Sequence, residues 1–214
     1  MPDMPFPILY SFRRCPYAIR ARMALWYSGV QCELREVVLR DKAKEFIKAS
    51  PSGTVPTLVL TDQVLDESFD VMLWGLKQSD PEEWLDMPET GYALIEQTDG
   101  PFKISLDRIK YSSRYPEADK DAHLRTATEF LKKLNSFLDE GYLFSDKPRL
   151  ADVAIFPFVR QFAFIDKAWF DAQDWPRLQR WLENFLASKL YLNAMQKYPK
   201  WQNGDDRTLF PQTV

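Results

Sequence analysis

Two cysteines in 214 residues, Cys15 and Cys32, are too few to form a disulfide framework. A single histidine, His123, excludes His-based catalytic triads and multi-histidine metal sites, and with two distant cysteines it makes no zinc site either. His123 reads as a structural helix residue. The seven glycines are scattered, so no phosphate-cradling loop is present. Neither sign of charge dominates: 28 Lys+Arg against 31 Asp+Glu give a net charge of −3, which leaves no electrostatic footprint for a nucleic-acid binder. The longest apolar run, around Val153 to Val159, is far short of the roughly 18 residues needed to cross a bilayer. Met1 to Pro7 has neither a basic n-region nor a long apolar h-region, so no signal peptide is expected there. What the chain does have is core-forming material, 45% hydrophobic and 14% aromatic residues, with 28% charged. That is the profile of an ordinary globular protein of one large domain or two small ones. The expectation is a soluble cytoplasmic protein with no nucleic-acid and no membrane partner.

Organisation changes along the chain. Ile8 to Phe12 reads as a buried strand, and Pro16 then opens a helix whose apolar residues include Ile19, Met23, Leu25 and Trp26, ending at Gly29. Cys32 to Leu39 alternates with charges as a second strand, Lys42 to Ala49 forms a short helix, and Val55 to Leu60 and Val64 to Asp66 are two further strands. A helix from Ser68 to about Gln78 follows. The order β-α-β-α-β-β-α implies a small sheet covered by helices. Residues 80–88 form a polar, proline-bearing connector, after which strand signals vanish and helices are expected near 89–98, 101–113, 119–139, 150–166, 176–188 and 189–197. Pro157 is expected to kink the fourth of these. The expected domains are therefore 1–79 (mixed α/β) and 89–214 (all-helical), with 80–88 as linker. The C-terminal aromatics Tyr111, Phe158, Phe162, Trp169 and Trp201 read mostly as core.

Cys15-Pro16-Tyr17-Ala18 directly follows the first strand and opens the first helix. A thiol there faces the positive end of the helix dipole, with Arg13 and Arg14 beside it. In such settings thiol pKa values fall to roughly 3.5–7.5 from about 8.5, so Cys15 is the expected catalytic nucleophile. Ala18 occupies the position where a dithiol oxidoreductase carries its second cysteine, so a mixed disulfide on Cys15 must be resolved by an external thiol. Cys32, opening the second strand, reads as a packed residue.

Cys15-Pro16-Tyr17-Ala18, Thr54-Val55-Pro56-Thr57-Leu58 and Glu67-Ser68, in that order before a helical half, resemble the cytosolic glutathione transferases. The cysteine motif is similar to those of the omega class and the two-domain glutaredoxins. Leu150-Ala151-Asp152-Val153-Ala154 resembles the helix start of the family's second domain. Asp99-Gly100-Pro101-Phe102 and Leu106 to Tyr111 resemble bacterial members. The resemblance implies a thioredoxin-like N-terminal domain followed by an all-helical domain, with Val55-Pro56 as a cis peptide. It further implies that the Val55 N–H and C=O pair with the cysteinyl backbone of glutathione, and that Ser68 and the helix start bind its γ-glutamyl carboxylate. Glu67 would take the ammonium, Lys42 the glycyl end, and Phe12 and Tyr17 would flank the thiol.

The implied activity is glutathione-dependent thiol transfer or reduction, with glutathione as co-substrate and no metal. The acceptor is a mixed disulfide, an electrophile or an oxidant such as dehydroascorbate, and the resemblance implies a homodimer. Two alternatives stand beside it: conjugation of electrophiles to glutathione, and a non-catalytic adaptor of the same fold. One departure from the family pattern is Arg149, where Ser or Thr usually precedes Asp152 by three residues. The reciprocal capping box is then incomplete, which bears on folding of the second domain and not on catalysis.

Overall fold

The structure is a computed structural model that describes residues 6–139 and 141–212; the N-terminal reading over Met1 to Pro5 lies outside them. The chain divides into two compact units. One comprises Met1–Glu82 together with Ser188–Val214, and the other comprises Glu83–Ala187.

The first unit is a thioredoxin-like sheet with helices. Strand β1 (Ile8–Ser11) leads into α1 (Pro16–Ser28), β2 (Cys32–Glu36), α2 (Lys44–Ala49), β3 (Thr57–Val59), β4 (Val64–Leu65) and α3 (Ser68–Gln78). Among the described residues the sheet has five strands in the order β4-β3-β1-β2-β5, the last (β5, Leu209–Phe210) coming from the C-terminal end of the chain. β1 and β2 are parallel, with Leu9 opposite Leu34 and Ser11 opposite Glu36, whereas β3 and β4 run antiparallel. Leu9, Leu25, Leu34, Leu58 and Val71 form the core between sheet and helices.

α1 is buried on most of its surface, including Arg20 and Arg22, because it packs against α3 and also against a helix from the far end of the chain. It ends where Gly29 takes φ 69°, a left-handed turn that favours glycine. The expected β2 ran to Leu39, but it ends at Glu36; the expected helix at 42–49 begins two residues late, leaving Lys42 in the preceding loop.

The second unit holds α4 (Glu89–Gln97), α5 (Lys103–Lys110), α6 (Lys120–Phe137), α7 (Leu150–Ala163), α8 (Lys167–Asp171) and α9 (Pro176–Ala187). A π-helical turn over Thr98–Phe102 joins α4 to α5, with Gly100 leaving helical geometry just before Pro101. α7 runs through Pro157 as one helix. Asp152 caps its start: the carboxylate accepts from the Arg149 and Leu143 amides, each at 3.0 Å, and from Trp181 Nε1 at 2.9 Å. A guanidinium accepts nothing, so Arg149 leaves the box half made, as its sequence suggested.

Two features depart from the sequence reading. The residues after 187 were expected to continue the helical domain, but α10 (Lys189–Ala194) packs on α1, and β5 (Leu209–Phe210) pairs antiparallel with β2, Cys32 opposite Phe210. A two-residue strand carries no periodicity to read. The connector at 80–88 is also less uniform than its polarity implied. Trp84 is buried, and its carbonyl accepts from the Leu150 amide at 2.9 Å. Among the described residues, no helix is long and apolar enough to cross a membrane.

Candidate functional site

The site is built where β1 runs out. After Ser11 the chain turns through Arg13 and Arg14, and the Cys15 amide closes the turn on the Phe12 carbonyl at 2.9 Å. Cys15 has extended backbone (φ −78°, ψ 124°) and is the N-cap of α1: its carbonyl accepts from the Ile19 amide at 2.9 Å, and Pro16 takes the first helical position. Pro suits that place because its φ is preset and its missing N–H would have no helical partner. The thiol is therefore held at the end of α1 where the helix dipole favours negative charge. Phe12 and Cys15 pack, partly buried, against the cluster of Tyr10, Val37, Phe46 and Val55.

Facing the thiol is the entry to β3. Cys15 Sγ donates to the Val55 carbonyl at 3.6 Å. The Val55–Pro56 peptide is cis, and Val55 lies just before β3 begins at Thr57. Lys42 reaches the same loop, donating from Nζ to the Gly53 carbonyl at 2.9 Å.

The start of α3 carries the remaining expected residues. Glu67 is its exposed N-cap and Ser68 its first helical residue, buried. Ser68 Oγ accepts from Arg20 Nε at 2.9 Å. That bond occupies a lone pair and leaves the hydroxyl proton free to be donated. Arg20 itself lies over the Tyr17 ring, 5.2 Å from its centroid. Sequence reasoning missed Arg20, because a charge five residues into an amphipathic pattern reads as solvated.

Of the residues expected here, Cys15 and Val55 are in contact, and Phe12 packs on the same cluster. Ser68 and Tyr17 meet through Arg20. Lys42 and Glu67 stand on the adjoining loop and helix start.

The second cysteine is chemically different. Cys32 is fully buried on β2, its Sγ lies 3.3 Å from the Phe210 carbonyl, and burial pushes its thiol up to about 12. It is a packed strand residue, as its sequence position suggested. In native protein at pH 8, a disulfide thiol reagent is expected to titrate one cysteine quickly and the second only after denaturation. Two fast thiols would contradict this burial. Among the described residues no group of three or more His, Cys, Asp or Glu could hold a metal ion.

Comparison with known proteins fits this architecture. The family description "Glutathione S-transferase, N-terminal domain" matches residues 9–84, and "Glutathione S-transferase, C-terminal domain" matches residues 117–184. Mouse glutathione S-transferase omega-1 is 28% identical over 207 residues, covering 89% of this chain and 77% of the relative. A glutathione transferase family member from Pseudomonas fluorescens, solved with two glutathione molecules bound, superposes with a TM-score of 0.74 at 18% identity, covering 89% of this chain and 92% of that one. A glutathione transferase from Pseudomonas putida, solved with one glutathione disulfide per subunit, gives 0.74 at 19% identity over 89% and 91% of the two chains. With both domains of the family matched in order along one chain, and an omega-class enzyme among its relatives, the protein belongs to the glutathione S-transferase family.

Proposed function

We propose that this protein is a cysteine-type glutathione transferase that reduces glutathione mixed disulfides, with Cys15 as nucleophile. The observation that carries the reading is the position of Cys15 Sγ: at the N-cap of α1 and 3.6 Å from the carbonyl of Val55, at the mouth of β3. The known structures with bound glutathione and glutathione disulfide, and the omega-class relative, support the same substrate class.

Glutathione docks in extended form along Val55, whose N–H and C=O pair with its cysteinyl backbone as an added strand would. The γ-glutamyl carboxylate accepts a hydrogen bond from the Ser68 hydroxyl and lies at the N-terminal end of α3, whose dipole favours an anion. Glu67 faces the γ-glutamyl ammonium and Lys42 the glycyl carboxylate, while Phe12 and Tyr17 flank the reacting sulfurs.

In the first step the Cys15 thiolate attacks the glutathionyl sulfur of the mixed disulfide. The old S–S bond breaks, the partner leaves as thiolate and takes a proton from water, and Cys15 is left glutathionylated. In the second step the thiolate of another glutathione attacks that same glutathionyl sulfur. Cys15 leaves as thiolate and glutathione disulfide is released. In sum, one mixed disulfide and one glutathione thiol give the partner thiol and glutathione disulfide, and no metal is used. Ala18 stands where an internal resolving thiol would be, which makes the second glutathione obligatory.

Initial rates measured over a grid of both substrates test the scheme. A ping-pong pattern, parallel in double-reciprocal form, is expected, and intersecting lines would contradict a covalent Cys15 intermediate. Ser68→Ala removes a hydrogen bond to a charged group worth about 1.5–3 kcal/mol, so KM for glutathione should rise roughly 10- to 100-fold with kcat little changed. A Ser68→Ala enzyme with wild-type KM would remove Ser68 from the binding site.

A further inference from the structure

The turn that delivers Cys15 is held by an acidic residue on β2. In a parallel pair, backbone bonds continue until one strand departs. Here the last such bond beyond the paired Ser11 and Glu36 runs from the Val37 amide to the Ser11 carbonyl at 2.8 Å. The next amide on the β1 side, that of Arg13, donates to a side chain, Glu36 Oε1, at 2.6 Å. The carboxylate thus supplies an acceptor at the point where β1 leaves the sheet and bends toward the Phe12–Cys15 turn.

Glu36 is itself locked in place. It is 9% exposed, and its other carboxylate oxygen lies 3.5 Å from Nη1 of the fully buried Arg22, about two turns along α1 from Cys15. Arg22 Nη2 donates to the Gln196 carbonyl at 3.1 Å, and the guanidinium lies over the rings of Tyr198 and Phe210. The Glu36 carbonyl accepts from the Trp201 amide at 2.8 Å. The C-terminal segment that returns to the first unit therefore clamps Glu36 from behind, while its carboxylate holds the cysteine turn in front. Burial pushes the Glu36 carboxyl up, and the Arg13 amide and the Arg22 charge act against that shift.

We propose that Glu36 is a positioning residue for Cys15: by accepting the Arg13 amide, it sets the turn that seats the thiol at the N-cap of α1 opposite Val55. The inference rests on Cys15 being the nucleophile, and its role is reach, not charge alone. Two variants separate these. Glu36→Asp keeps a negative charge beside Arg22 but is one methylene short of the Arg13 amide. Glu36→Gln keeps an oxygen within reach of that amide but leaves the buried Arg22 without its counter-charge.

Alkylation of Cys15 by iodoacetamide, followed by peptide mass across pH 5 to 9, is read together with kcat for disulfide reduction and the thermal midpoint. Glu36→Asp is expected to melt close to wild type, yet to move the pH profile of Cys15 alkylation up by about one unit, so that alkylation is roughly tenfold slower at any pH below both midpoints. kcat should fall in parallel. Glu36→Gln is expected to melt lower while Cys15 in the folded protein keeps the wild-type alkylation profile. An Asp variant with the wild-type profile, or a Gln variant as slow as the Asp one, overturns the proposal. If wild-type Cys15 alkylates no faster than in the unfolded chain, the nucleophile itself is wrong and this inference falls with it. A fast wild type with an indifferent Asp variant removes Glu36 alone.

Discussion

Cys15→Ser is expected to lower glutathione-dependent reduction of mixed disulfides by about three orders of magnitude or more, because a serine hydroxyl at neutral pH neither ionises nor displaces a thiolate from sulfur. The fold should survive, since Cys15 is only half-buried and its capping role is played by the backbone carbonyl that accepts from Ile19. Conjugation of electrophiles to glutathione makes the opposite demand. There the enzyme ionises the thiol of glutathione, and a hydroxyl at position 15 could donate to that thiolate. Conjugation by the variant is therefore expected to be unchanged or raised. Assaying both reactions on one preparation separates the readings: reduction lost with conjugation kept supports the covalent scheme. Reduction that persists would demote Cys15 and favour conjugation as the main chemistry. Loss of both, with retention on glutathione resin, would leave room for an adaptor only if the wild type were equally inactive.

Asp152→Ala is expected to be the most damaging single change to the helical unit. The carboxyl is fully buried and is the common acceptor for the Arg149 and Leu143 amides and Trp181 Nε1, tying the start of α7 to the preceding loop and to α9. Alanine leaves donors buried without that acceptor, at a cost of about 3–5 kcal/mol once non-additivity is allowed for. Asp152→Asn keeps one oxygen and should cost less.

The two variants also differ in pH dependence from wild type. Burial raises the Asp152 carboxyl to about 6, with the three donors opposing that shift, against about 3.9 in an unfolded chain. The native state then holds this proton more tightly than the unfolded state does. The contribution of Asp152 to stability is largest below about pH 4 and declines as the pH rises to about 6. Urea midpoints of wild type minus Asp152→Asn, measured from pH 4 to 7, should shrink across that window. A difference that grows with pH would mean that the carboxylate is stabilised by its donors more than burial destabilises it.

Much of the candidate site was legible in the sequence, because the residues proposed for it lie at element boundaries, which leave strong marks. Pro16 and Gly29 bracket α1, and Ser68 to Gln78 is both the expected and the observed extent of α3. Cys15, Val55-Pro56 and Ser68 sit at three such boundaries, and the sheet topology gathers those boundaries at one end.

What was not legible depends on side chains whose partners are far away in sequence. Glu36 shares its strand face with Cys32 and Leu34, all three buried. The alternation over β2 carries no sign that a charged residue on that face is buried, because its counter-charge, Arg22, lies on α1. Arg22 is inside only because α10 and the Tyr198–Phe210 segment return to cover α1, and nothing in the local pattern of residues 189–210 announces that return. Trp201 is core, as expected, but in the first unit, where it packs edge-on against Tyr10 of β1. The helix expected from Lys42 begins two residues later, at Lys44, a boundary difference of the ordinary size.

The most direct test of the central claim is to incubate the protein with glutathione disulfide, digest it without reductant, and weigh the peptides. The account predicts one glutathionyl group per chain, carried on the peptide containing Cys15, absent from the Cys32 peptide, and removed by added glutathione. An unmodified Cys15 peptide, or an adduct on Cys32 instead, would contradict it.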